Sequence, residues 1–272
     1  MSANYSEYLD FAKKIALESG KVLNNYFGNI KSINKKTTSI DLVTEADLSS
    51  EKILIDKIQK KYPDHTIITE ESHLKDKNSD FRWIIDPLDG TTNFVHNLPI
   101  FAVSIGLQYK EKTILGVVYN PAADKMFYAS NNNGAYLNEK TINISLSNTL
   151  SDSLIVTGFP YIHDKRWDVS FDIFKTIYSK TRGVRRLGAA ALDLCFVAMG
   201  RFEGFYEFNL KPWDICAGSI IAEEAGAKVT DWNNEILPFS GERILATNGK
   251  IHQEMVTILD SQEFKQIFDK ES

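Results

Sequence analysis

Apolar residues near the N-terminus recur at the spacing of one helical face. Tyr8, Phe11, Ile15, Val22 and Tyr26 form a stripe that predicts an amphipathic helix stopping at Gly28. Residues 29–41 are polar and lysine-bearing, and read as a loop. Thr44 followed three positions on by Asp47 is a capping pattern, and Ile53, Leu54 and Ile58 extend it into a second helix that ends before Pro63. From residue 66 the period changes. TIIT (66–69) and RWIID (82–86) are short apolar strands, each meeting acid at its end. FAVSIGLQY (101–109), TILGVVYN (113–120) and KMFYAS (125–130) follow across short turns, the pattern of antiparallel strands. After about residue 150 strand and helix alternate. SLIVTGF, GVRRLG and FEGFYEF read as strands, and AALDLCFVAMG and WDICAGSIIAEEAG as helices. The expectation is a layered α/β (or α+β) protein. It forms a single domain over residues 1–272, in two halves at about 1–148 and 149–272 with no visible linker.

Composition narrows the class. A chain of 272 residues with 43% hydrophobic content can bury a large core. A net charge of −5 and only short basic pairs, such as Lys35-Lys36 and Arg185-Arg186, argue against direct nucleic-acid binding. No segment approaches the roughly 20 apolar residues of a membrane span. Glu7, Asp10, Lys13 and Lys14 stand where a signal peptide needs an apolar stretch. Two cysteines, Cys195 and Cys216, fit a reducing compartment, so a cytoplasmic location is expected.

Candidate chemistry concentrates in WIIDPLDGTTNF (83–94). Read alone, DPLDG is a surface turn, but apolar runs anchor it on both sides. Glu70 and Glu71 close the preceding strand, and Asp214 opens a later helix. If Glu70, Asp86, Asp89 and Asp214 converge, their charges repel and favour protonation. A hard divalent cation removes that conflict, and Mg²⁺ typically combines a few carboxylates with waters and substrate phosphate. Pro87 would fix the backbone so that both aspartates and the Leu88 carbonyl face one ion. Gly90 admits a substrate close to the main chain. The amides of Gly90, Thr91 and Thr92, if they open a helix, form a phosphate site.

Other patterns carry less. Cys195 and Arg201 have the C-x5-R spacing of cysteine phosphatases, but the residues between them continue an apolar helix, so a core cysteine is expected. Asp86 and Asp89 lie three apart, which does not fit the Asp-x-Asp phosphatases. The five histidines form no zinc-spaced pair.

WIIDPLDGTTNF and KPWDICAG (211–218) resemble the two signatures of the inositol monophosphatase family. DLVTEAD (41–47), TEES (69–72) and GVRRLGAAALD (183–193) are similar to its other landmarks, in the same order. The resemblance implies alternating α-β-α-β-α layers and a homodimer. It implies two or three Mg²⁺ ions per subunit, with Mn²⁺ as the alternative. Glu70, Asp86 and the Leu88 carbonyl would hold the first ion; Asp86, Asp89 and Asp214 would hold the second. Glu70 would also help to place a third. Glu70 and Thr91 would line up the attacking water, with Asp47 accepting a hydrogen bond from Thr91. Gly90 and Thr91 amides would bind phosphate. Asp89, Ala190 and Glu207 would contact polyol hydroxyls, with Asp214 alongside, and Lys36 lies on the loop that closes over the site. Inositol 1-phosphate is the substrate expected first. Fructose 1,6-bisphosphate comes second, since Lys36, Arg185 or Lys211 could meet another phosphate. Adenosine 3′,5′-bisphosphate and NADP are further alternatives. A reading of a different class is a binding partner of the transcription machinery, a role some bacterial relatives have.

Overall fold

The computed structural model describes residues 5–30, 33–35, 42–72, 74–161, 164–261 and 264. The chain opens with α1 (Ser6–Tyr26), β1 (Ile33–Lys35), β2 (Leu42–Thr44) and α2 (Glu45–Lys61). Then come β3 (Thr66–Thr69), β4 (Phe81–Asp89), the short α3 (Thr91–Val95) and β5 (Ala102–Tyr109). β6 (Lys112–Asn120), β7 (Lys125–Ser130), β8 (Ala135–Leu137) and β9 (Lys140–Thr141) continue the same sheet. The remainder is β10 (Leu154–Thr157), α4 (Lys165–Lys180), β11 (Gly183–Arg185), α5 (Ala190–Ala198) and β12 (Gly204–Phe208). It ends with α6 (Pro212–Glu224), β13 (Lys228–Thr230), β14 (Arg243–Thr247) and α7 (His252–Leu259).

Five layers alternate. α1 and α2 cover one face of a seven-stranded sheet ordered β3-β4-β5-β6-β7-β8-β9. Ile15, Leu54 and Ile58 pack there against Ile85, Val103, Ile105 and Val117. α5 and α6 fill the middle layer, with Cys195 and Ile221 turned to the first sheet and Leu194 and Ile215 to the second. That second sheet has the order β11-β10-β12-β14-β13. α4 and α7 close its far face through Ile173, Ile177, Met255 and Leu259. β5 shows the strand period directly: Val103, Ile105 and Leu107 belong to the α1/α2 core, while Ala102 belongs to the middle layer. α6 sits close to the first sheet because the strands present glycine to it. A Cβ on Gly116 would collide with the Ala217 carbonyl oxygen and stand 2.8 Å from its Cα. Among the described residues no helix is long and apolar enough to cross a membrane.

Two local expectations need correction. The loop expected over residues 29–41 contains a strand, since Ile33–Lys35 pairs antiparallel with Leu42–Thr44; three residues are too few to show a period of two. The strand expected to end at Asp86 runs on to Asp89. Asp86 pairs with Ser104 and Asp89 with Ala102, and the register shifts between them. Pro87 has no N–H to give the ladder, and a bulge is one of the few places in a sheet where proline fits.

Candidate active site

Parallel pairing of β3 with β4 sets Thr69 opposite Ile85, so the next residues, Glu70 and Asp86, fall side by side. In the second sheet β10 pairs in parallel with β11 on one side and β12 on the other. A crevice beyond the C-terminal ends of parallel strands is where α/β sheets bind ligands. Gly158 follows β10, Arg186 follows β11, and Glu207 is near the end of β12. All three line a cavity of about 420 Å³. Glu70, Asp86, Leu88, Asp89, Gly90 and Thr91 reach it from the first half, and Ala190 and Asp214 from the second. Asp47 stands behind, in contact with Thr91. Lys36 lies outside the described residues.

The bulge of β4 shapes the floor of the cavity. Asp86 Oδ1 accepts from the Leu88 amide at 2.9 Å, and the Pro87 carbonyl accepts from Ser50 Oγ at 2.7 Å. Thr91 Oγ1 is 3.0 Å from Asp47 Oδ1 and 3.1 Å from the Leu88 carbonyl oxygen. Its single proton therefore goes to one of those acceptors. Asp47 is also fixed from its own helix, since Oδ2 accepts from the Thr44 amide (2.8 Å) and hydroxyl (2.6 Å). Gly90, at φ +90°, makes the sharp exit into α3. A Cβ there would press to 2.9 Å from the Ile100 carbonyl oxygen.

Two acids are held by helix starts. Asp89 accepts from the Ala190 amide at 3.2 Å and the Ala191 amide at 2.9 Å, one oxygen each. It thus caps α5, whose own Ala189 has no side chain to do so. Asp214 reaches back to the Lys211 amide at 2.6 Å, the usual reach of an acid at the third helical position.

Electrostatics of the acids are unfavourable as they stand. Burial pushes the Asp86 carboxyl well above its ordinary value, and Glu70, Asp89 and Asp214 push it further. Burial and then Glu70 do the same to Asp214. Asp89 is also raised, by burial first, against the lowering pull of the α5 amides. Glu207 rises to about 8 through burial, partly offset by Arg186. Among the described residues no lysine or arginine forms an ion pair with Asp86, Asp89 or Asp214. Nor do any three Asp, Glu, His or Cys side chains among them stand close enough to grip one ion as placed. Hard oxygen donors without a compensating cation, facing one cavity, fit a divalent metal of the Mg²⁺ type.

Sequence reasoning missed several lining residues. Phe159, Tyr161 and Arg186 join Lys211 and Trp213 in the cavity wall. It is Arg186 that lines the cavity; Arg185 lies outside that wall and donates to the Val184 carbonyl at 3.2 Å. No local signal separates Arg186 from Arg185, since both fall within the strand expected over GVRRLG.

The layered αβαβα fold opens a carboxylate-lined crevice at its strand ends, a donor set suited to metal-assisted phosphoryl chemistry. The sequence model of the inositol monophosphatase family matches residues 4–263, and the chain belongs to that family. It is 44% identical to the inositol-1-monophosphatase of Synechocystis sp., over 91% of this chain and 87% of that protein. It is 39% identical to the Nus factor SuhB of Pasteurella multocida, over 94% and 98%. The solved inositol monophosphatase of Anabaena superposes with a TM-score of 0.85 at 40% identity, covering 94% of this chain and 96% of that one.

Proposed function

We propose that the chain is a cytoplasmic, homodimeric, Mg²⁺-dependent phosphomonoesterase. Its substrate is a small polyol monophosphate, inositol 1-phosphate first, released as polyol and phosphate. The observation that carries the reading is the meeting of Glu70, Asp86, Asp89 and Asp214 at one cavity that also contains the buried acid Glu207. Glu70, Asp86, the Leu88 carbonyl, Asp89 and Asp214 are the groups that would hold the ions. Bound Mg²⁺ would supply charge to offset these acids and the Lewis acidity that phosphoryl transfer needs.

The chain's own groups do the rest. Thr91 commits its proton to Asp47 or the Leu88 carbonyl, which leaves its oxygen lone pairs to accept from a water. Glu70 lies in the same wall and orients that water with it. Gly90 and Thr91 amides receive phosphate oxygens where the chain turns into α3. Asp89, Ala190, Glu207 and Asp214 face the polyol, whose hydroxyls can donate to the acids. Glu207 keeps its carboxylate close to the Gly158 Cα, where any side chain would collide with it.

Phosphate release from inositol 1-phosphate, fructose 1,6-bisphosphate, adenosine 3′,5′-bisphosphate and NADP, with Mg²⁺ and then with EDTA, tests this. Metal-dependent release led by inositol 1-phosphate in kcat/KM is the expected result. No release from any of the four by folded, metal-supplied protein would overturn it. The likeness to a protein named as a Nus factor favours a second reading, binding to the transcription machinery. An Asp89→Asn variant that lacks activity yet rescues a deletion phenotype would support that role.

A further inference from the structure

Glu51 is a buried carboxylate, 3% exposed, with no assigned part in the chemistry. Its oxygens are saturated by donors from a single four-residue segment. Oε1 accepts from the Thr69 hydroxyl at 2.7 Å, the Glu71 amide at 3.2 Å and the Ser72 amide at 3.0 Å. Oε2 accepts from the Ser72 hydroxyl at 2.5 Å. Those donors bracket Glu70 on both sides, so the main chain that carries Glu70 is tied to one point of α2.

The same helix face fixes the other pieces of the site. Asp47, Ser50 and Glu51 stand at i, i+3 and i+4, the spacing of neighbours on one side of a helix. Asp47 bonds Thr91, Ser50 donates to the carbonyl of Pro87 between Asp86 and Asp89, and Glu51 holds Thr69–Ser72. Ser50 is braced in turn by Ser19 of α1, Oγ to Oγ 2.6 Å. Burying a carboxylate is unfavourable unless it is fully hydrogen-bonded, and here all four donors come from the segment that carries Glu70. A glutamine with its carbonyl at the Oε1 position would keep three of the four, whereas alanine would leave every one of them without this acceptor.

We propose that Glu51 is a positioning residue. Through Thr69 and Ser72 it sets where Glu70 stands beside Asp86, and so sets the affinity of the site for its divalent cation. α2 acts as a template on which two segments of the site, Thr69–Ser72 and Pro87–Thr91, are aligned. The inference rests on the metal-site reading of the cavity. Groups that orient metal ligands typically change affinity by about 10–100-fold when removed.

The test measures Mn²⁺ binding directly, by electron paramagnetic resonance of the free ion, on wild type, Glu51→Ala and Ser72→Ala. Circular dichroism melts of each accompany it. Glu51→Ala is expected to bind Mn²⁺ at least tenfold more weakly, and its Mg²⁺ concentration for half-maximal phosphate release should rise in parallel. KM for the phosphate ester at saturating Mg²⁺ should stay within about twofold. Ser72→Ala, which removes only the Oε2 partner, should move the same quantities by a smaller factor. If Glu51→Ala fails to fold, the folded Ser72→Ala carries the comparison. Unchanged Mn²⁺ affinity in folded variants, whatever their melting temperatures, would overturn the assignment and leave Glu51 as a fold residue. Wild-type protein that binds no Mn²⁺ would overturn the metal-site reading and this inference together.

Discussion

Asp89 spends both carboxylate oxygens on the amides of Ala190 and Ala191, so one side chain caps α5 and faces the cavity at once. Among the described residues Asp86 has no such support beyond the Leu88 amide, and burial together with its acidic neighbours raises its pKa well above the ordinary value. Its ionised form is therefore a liability to the metal-free fold at neutral pH. Asp86→Asn keeps the shape, and its Oδ1 can still accept from Leu88. In EDTA at pH 7.5 it should melt above wild type, because the asparagine carries no charge for burial and the neighbouring acids to oppose. With Mg²⁺ it should lose phosphate release by about 1,000-fold or more. An Asp86→Asn protein that melts lower and retains turnover would contradict both roles. Glu207 offers a separate test. Its carboxylate lies against the Cα of Gly158, so Gly158→Ala forces it to move. KM for inositol 1-phosphate should rise about tenfold, the equivalent of ~1.4 kcal/mol, with Mn²⁺ affinity unchanged. Asp86 and Glu207 were readable because an acid at the end of an apolar run stands out. The capping work of Asp89 was not, because its partners lie about a hundred positions along the chain.

At the scale of elements, α6 matters twice: it carries Asp214 and it packs on the first sheet through glycine. Gly116→Ala should lower stability by roughly 1–3 kcal/mol, the usual range for overpacking, seen as a lower urea midpoint. Activity at a temperature well below melting should also fall, because α6 cannot shift without moving Asp214. The end of the second sheet has its own device. His252 is 2% exposed, with Nε2 3.1 Å from Thr230 Oγ1 and Nδ1 2.8 Å from Thr247 Oγ1. Thr230 donates to the Asp231 carbonyl, so it can only accept from Nε2–H, and Thr247 then donates to Nδ1. That pattern requires a neutral ring, and burial lowers the pKa to about 4. The unfolded chain takes up the proton first, near pH 6.5. The stabilisation contributed by His252 should therefore hold above pH 6.5, fall between 6.5 and 4 by on the order of 3 kcal/mol, and level off below. The difference in unfolding free energy between wild type and His252→Gln across that range checks this, the advantage of wild type shrinking as the pH falls. None of it was visible in the apolar pattern, since β13 has three residues and His252 reads as an isolated polar position.

For the whole molecule, cation binding and folding are linked, because the acids meet only in the folded chain. Mg²⁺ at a hundred times its dissociation constant should stabilise the fold by about 2.7 kcal/mol, and EDTA should remove that gain. A melting temperature indifferent to Mg²⁺ would count against a metal site in this cavity. Local pattern was enough to establish the alternation of helix and strand, the acids placed at strand ends, the turn at Gly90 and the family. Each of these is written in contiguous residues, as a period, a cap or a signature. Tertiary structure alone decided that Arg186 and not Arg185 faces the cavity, that Asp89 caps α5, and that α2 reaches the segments at Thr69–Ser72 and Pro87–Thr91 through Asp47, Ser50 and Glu51. Those relations join residues 18 to 102 positions apart. They follow from sheet register and layer packing, which a one-dimensional period does not encode.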